Sequence, residues 1–180
     1  FILYFKLFNF GSFVVFDNNP NVPDSLKDSF VRLFILKNSL SNGELPLWNK
    51  FIFGGEPFFG VPNMPAFYLP IYPLLLFQNY SIILNLVILI HLFYTAISMF
   101  YLSKYLFKDR DVALISALSL LGTGIIYSGA MFELIEWLVP ASHIPLLVYL
   151  ALKSLNNKSM RLGSLCALIL SLQYYSGGVA

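Results

Sequence analysis

Charge is scarce in this sequence. Asp, Glu, Lys and Arg make up 11% of its 180 residues, where soluble domains carry about a quarter. With 58% apolar and 17% aromatic residues, a water-soluble fold of this size could bury a core but not cover the remaining apolar surface. Hydrocarbon as solvent removes the difficulty. The formal charge of +2 is too small to argue for a nucleic-acid partner. Cysteine is reduced to one, Cys166, inside an apolar run, which excludes an internal disulfide and any redox framework. HExxH, CxxC, GxGxxG and P-loop spacings are all missing, so the usual zinc, dithiol, dinucleotide and nucleotide signatures have no support. A repeat of fixed period, a Ser/Gly-rich linker and a charge block are missing too. Residues 1–180 therefore read as one membrane unit rather than several domains. The chain begins at Phe1 inside apolar sequence and stops at Ala180 after another apolar run, so it reads as part of a longer protein.

What is present is a series of apolar runs near the length of about 20 residues that a spanning helix needs. Spans are expected at 81–103, 112–131, 137–153 and 162–176, with 1–16 as the truncated outer part of an earlier helix whose one charge, Lys6, can snorkel or face protein. The fold class expected is an all-α integral membrane bundle. The two short loops 103–111 and 153–161 hold six of the eleven Lys and Arg. Short cytoplasmic loops are enriched in these residues, which places both loops inside. Residues 17–80, the turn 130–136 and the end near Gly177 then lie outside, and the protein is a multi-pass cell-membrane protein. Lys27, Arg32, Lys37 and Lys50 in the outer loop vote the other way, with the weaker weight of a long loop.

That outer loop has its own order. From Asp24 to Leu40 it reads as an amphipathic helix, with Leu26, Phe30, Leu33, Phe34 and Leu40 near one face and Asp28, Arg32 and Asn38 elsewhere. Pro23 suits its start and Asn42-Gly43 its end. Such a helix can lie on the membrane surface or pack against protein. Residues 54–73 hold Gly54, Gly55, Pro57, Gly60, Pro62, Pro65, Pro70 and Pro73, through which no regular helix is expected to run. Phe58, Phe59, Phe67, Tyr68 and Tyr72 are interleaved, giving an aromatic-rich loop at interface depth.

The segment Gly43-Glu44-Leu45-Pro46-Leu47-Trp48-Asn49, then Phe53-Gly54-Gly55-Glu56-Pro57-Phe58, then Phe67-Tyr68-Leu69-Pro70, resembles the signature of the bacterial YfhO-like membrane proteins. Tyr127-Ser128-Gly129 with Pro140 to Pro145, and Leu172-Gln173-Tyr174-Tyr175-Ser176-Gly177, look like that family's outer turn and a later helix end. The resemblance implies a polytopic helix bundle of the GT-C glycosyltransferase type. Its large first extracytoplasmic loop would contain membrane-parallel helices, and an acidic residue there would act in sugar transfer. Asp24 is the position that matches, with Asp28 next. The implied partners are membrane lipids, a polyprenyl-phosphate sugar donor and an envelope polymer or glycolipid acceptor. One departure stands out: Glu133 and Glu136 occupy the outer turn where the family often carries His or Arg.

Transfer from such a donor needs a base for the acceptor hydroxyl, charge stabilisation for the leaving phosphate, and a site at the membrane surface. Asp24 would be the base and Asp28, one helical turn later, its helper, since like charges four apart raise one pKa. Both equally suit the first turn of a helix, where the dipole favours acids. A divalent cation, Arg32, Lys27, Lys37 or backbone N–H groups could meet the phosphate. Basic residues on a surface helix also bind anionic lipid. Trp48 over the Gly54-Gly55-Glu56-Pro57 turn could stack on a sugar ring or anchor at the interface. Glu133 and Glu136 could bind the acceptor or sit as solvated helix-end acids. His143, between Pro140 and Pro145, could face a cavity, while mid-helix His91 reads as a packed, hydrogen-bonded ring. Sequons stand at Asn79 and Asn157, the latter placed in the cytoplasm. Two other classes fit the same residues: a transporter or flippase for a lipid-linked precursor, with the aromatic loop and turn acids lining its path, and a non-catalytic scaffold whose loop binds envelope partners.

Overall fold

Two lysines in left-handed backbone divide the apolar half of the chain into helical hairpins. The computed structural model describes residues 30–50, 54–58, 68–123, 126 and 135–176. Its elements in order are α1 (Phe30–Ser41), the two-residue strands β1 (Trp48–Asn49) and β2 (Glu56–Pro57), a 3-10 helix (Leu69–Leu76), α2 (Tyr80–Phe107), α3 (Arg110–Leu121), α4 (Ile135–Asn157) and α5 (Met160–Tyr175). Lys108 (φ 57°) follows α2, and Asp109 starts α3 by accepting at Oδ1 the N–H groups of Asp111 (2.8 Å) and Val112 (3.0 Å). Lys158 (φ 48°) and extended Ser159 repeat this geometry between α4 and α5. Asn156 Nδ2 donates to Tyr105 Oη at 2.6 Å, which brings the two basic turns to one end of the bundle. Helices α2 and α4 therefore run parallel and in contact, and α3 and α5 each return against the helix before them.

Ile82–Phe107 and Trp137–Asn157 are long and apolar enough to cross a membrane. At 1.5 Å per residue the 28 residues of α2 extend about 42 Å, beyond a hydrocarbon core of about 30 Å. Sidedness agrees with an apolar solvent. Ile90, Phe93, Ile97 and Tyr101, spaced along one face of α2, are exposed, whereas His91, Thr95 and Ser98 are buried. On α3 the buried residues are Ala113 and Ala117, one turn apart, which let two helix backbones come close.

The end opposite the basic turns is closed by the loop segment. Leu33 and Leu36 of α1, Phe58, Tyr68 and Ile71 form one core with Ile83, Leu84 and Val87 of α2 and Val139 of α4. The described part of the amphipathic helix thus packs on protein, the second of its two expected settings. Its inner face differs from the expected one: Leu36 is fully buried, while Phe34 is 42% exposed and sets its ring 6.1 Å from Tyr80. Leu33, Leu36 and Leu40 follow the 3.6-residue period, and Phe34 falls outside that stripe. Lys37 Nζ donates to the Phe77 carbonyl and lies 5.3 Å from the Tyr80 ring centre, tying α1 to the start of α2.

The Gly- and Pro-rich stretch also departs from expectation, since Leu69–Leu76 is helical despite Pro70 and Pro73. Pro70 lies in the first turn, where its missing N–H costs nothing. The tighter i→i+3 pattern then carries the chain, with Ile71 N–H bonded to Tyr68 O (3.0 Å) and Phe77 N–H to Leu74 O (3.1 Å). The basic loops are shorter than expected, because α2 continues to Phe107 and α4 to Asn157.

Candidate functional site

The first candidate site starts from a helix stop. After Ser41, Gly43 (φ 73°) donates to Leu40 O (3.0 Å) and Glu44 N–H reaches Ser39 O (2.9 Å), the double bond of a Schellman end. The chain turns back along α1 and enters β1. Trp48 pairs with Pro57 and Asn49 with Glu56 in the antiparallel ribbon. Buried Asn49 donates from Nδ2 to Glu56 Oε1 at 3.2 Å, and Phe58 N–H closes the ribbon on Leu47 O at 2.9 Å. Gly54 and Gly55 have φ of 78° and 120°, and the Trp48 ring occupies the space a side chain would need: a Cβ on Gly55 would lie 2.5 Å from Trp48 Nε1.

Trp48, Gly54, Gly55 and Glu56, named from sequence as sugar-site candidates, are thus one structural unit. Trp48 keeps 60% of its surface exposed. Between α1 and the ribbon lies a groove of about 370 Å³ whose walls combine Phe34 and Trp48 with Asn38, Asn42, Glu44 and Lys50. Aromatic faces beside amide, carboxylate and ammonium groups are what a polyhydroxylated ring uses. Arg32 is half-buried on α1 and is not part of the groove wall. Glu136 belongs to the first turn of α4. Asp24, Asp28, Lys27 and Glu133 lie outside the described residues.

The second site lies between the helices. A cavity of about 290 Å³ is bounded by Tyr68, the 3-10 helix, α2, α4 and α5. His143, named from sequence as a substrate-site candidate, lines this cavity. His91, expected as a packed ring, has Nδ1 on Val87 O at 2.6 Å and Nε2 on Tyr68 Oη at 2.7 Å. His143 Nε2 lies 3.5 Å from the same Tyr68 oxygen, and its Nδ1 lies 3.0 Å from Tyr94 Oη. Burial first, and then neighbouring Tyr94, push the Tyr68 hydroxyl above its ordinary range, so it stays protonated as a donor. Sequence reasoning missed Tyr68 and Tyr94 as members of a polar cluster. The signal was there in part: His91, Tyr94 and His143 are polar rings inside apolar runs, where partners for them are few.

Among the described residues no group of three or more His, Cys, Asp and Glu could hold a metal ion. Compared with protein-family models, curated proteins and solved structures, the chain finds no match.

Proposed function

We propose that this chain belongs to a polytopic membrane glycosyltransferase of the GT-C type, similar to the YfhO-like proteins, working on the face opposite its basic turns. One observation supports this most: the half-polar groove carrying Trp48 lies with the loop segment at one end of the bundle, and Lys108 and Lys158 lie at the other. By the positive-inside rule the groove then faces outward, where a polyprenyl-phosphate donor would present its sugar. In this reading Trp48 stacks on the sugar, with Asn38, Asn42 and Glu44 meeting its hydroxyls. Asp24 acts as base for an envelope acceptor, with Asp28 beside it. Glu56 fixes the ribbon through Asn49.

The test is transfer of a labelled sugar from a polyprenyl-phosphate donor by membranes containing the full-length protein. Asp24→Asn should abolish transfer while the protein still accumulates, and Trp48→Ala should raise KM with less effect on kcat. Undiminished transfer by Asp24→Asn removes Asp24 as base. If the intact protein transfers no sugar from any such donor, the reading fails.

The Tyr94–His143–Tyr68–His91 chain favours a second reading, a transporter or flippase, since polar rings inside a membrane bundle serve as proton relays. Movement of a labelled precursor into liposomes without sugar transfer would select it.

A further inference from the structure

The intramembrane cavity has a polarity that one carbonyl decides. Val87 O can only accept, so the proton on His91 sits at Nδ1. Among the described residues no carboxylate lines the cavity, and an unpaired buried cation is costly, so the ring is neutral and Nε2 is bare. The 2.7 Å contact is therefore Tyr68 O–H donating to His91 Nε2. With its single proton used, Tyr68 Oη can only accept across the 3.5 Å contact, which puts the proton of His143 on Nε2. His143 Nδ1 is then bare and accepts from Tyr94 O–H at 3.0 Å. The bonds all run one way, from Tyr94 through His143 and Tyr68 to His91 and Val87. Tyr94 has no proton left, and its oxygen offers lone pairs alone. The remaining walls include Ile90, Leu146, Ile169 and Leu172, and the volume of about 290 Å³ is at the lower end for small-molecule pockets.

We propose that this cavity binds an uncharged apolar alcohol, its hydroxyl donating to Tyr94 and its hydrocarbon body lying among the aliphatic walls. A carboxylate or phosphate would bring only acceptor oxygens and negative charge to a site that offers an acceptor and, among the described residues, no cation. The site is separate from the Trp48 groove and does not rest on the sugar-transfer reading.

The full-length protein in detergent can be titrated with geraniol, geranyl phosphate and the hydrocarbon myrcene, with binding followed by saturation-transfer NMR. Geraniol should bind saturably, and geranyl phosphate at least about tenfold more weakly, as the loss of a hydrogen bond plus a buried charge requires. Tyr94→Phe should weaken geraniol roughly threefold to tenfold and leave myrcene unchanged. Leu146→Trp, which fills the cavity, should abolish geraniol binding. The proposal is overturned if geranyl phosphate binds as well as geraniol or better. Unsaturable geraniol binding overturns it too, as does geraniol affinity that survives either substitution. Should Tyr94→Phe not accumulate, the phosphate comparison and Leu146→Trp still decide. None of these outcomes alters the transfer assay, so the two readings fail separately.

Discussion

Replacing Gly55 by Ala isolates what holds the Trp48 ribbon together, because the substitution adds one carbon and meets two different obstacles. The first is backbone. At φ 120° an L-residue lies in a region used almost only by glycine, at a cost of about 1–3 kcal/mol. The second is steric. The new Cβ would lie 2.5 Å from Trp48 Nε1 and 2.9 Å from Cε2 and Cζ2. Those atoms belong to a side chain that is 60% exposed, so the indole can swing into solvent instead of forcing the backbone apart. What is lost is the packing of the covered part of the ring. A tryptophan buries about 150–250 Å² when fully enclosed, so its covered fraction corresponds to about 1.5–2.5 kcal/mol at about 25 cal/mol per Å². The two costs together predict a loss of about 2.5–5.5 kcal/mol, confined to the ribbon.

Hydrogen exchange of the Phe58 amide reads that loss, since Phe58 N–H is bonded across the ribbon to Leu47 O. In detergent-solubilised protein its protection should fall by at least about thirtyfold, the equivalent of about 2 kcal/mol. Trp48 emission should shift to the red. The double variant Trp48→Ala/Gly55→Ala separates the terms. With no ring to displace, the glycine substitution should cost only the backbone share of about 1–3 kcal/mol, leaving a coupling energy of about 1 kcal/mol or more. Phe58 protection within threefold of wild type in Gly55→Ala, with unchanged emission, would refute the reasoning. A vanishing coupling would refute the steric half alone.

Asp109→Ala removes the acceptor for two N–H groups at the start of α3 and should cost about 1 kcal/mol, measured by reversible unfolding in mixed micelles. Lys108→Gly and Lys158→Gly relieve left-handed backbone and should each stabilise the protein by about 0.5–1 kcal/mol in the same assay, the gain being reduced by glycine's larger chain entropy. Asn157→Cys on a Cys166→Ser background should react in intact cells only with a membrane-permeant thiol reagent. Reaction with an impermeant reagent would reverse the orientation and place the Trp48 groove in the cytoplasm.

Local features were readable from residue order, and long-range ones were not. Asn42-Gly43 marks the end of α1 because a Schellman stop needs positive φ at one residue, and Gly43 supplies it. The Trp48 and Gly54-Gly55 group was visible for the same kind of reason, with bonded Asn49 and Glu56 only seven positions apart. The 3-10 helix escaped notice because proline rules are written for α-helix interiors, while Pro70 sits in a first turn. Leu36 displaced Phe34 from the core because two faces of a helix rich in apolar residues compete, and the neighbouring 3-10 helix and α2 decide between them. The His–Tyr cluster was least readable. Tyr68 meets His91 across 23 residues and His143 across 75, and nothing in either apolar run sets the rotation of one helix against another.

That rotation is explained once the solvent is hydrocarbon. Between α2 and α4 the apolar effect gives little preference for one face over another, since lipid tails are as apolar as leucine. Polar and ring contacts supply the preference, and they recur along the whole seam. Near the loop segment, His143 sits 5.1 Å from Tyr94 and 6.2 Å from His91, ring centre to ring centre. Further along, Tyr149 lies 5.6 Å from Tyr105, and at the basic end Asn156 donates to Tyr105. Turning either helix by one residue, about 100°, would break every one of these contacts and carry His91 or His143 toward lipid. These rings thus set the register of two parallel helices, and the same constraint holds Tyr94 at the cavity. In a hydrocarbon solvent the hydrogen-bonded seam adds to the buried apolar residues between α2 and α4 the preference for one rotation that they lack, and the faces turned outward can be apolar.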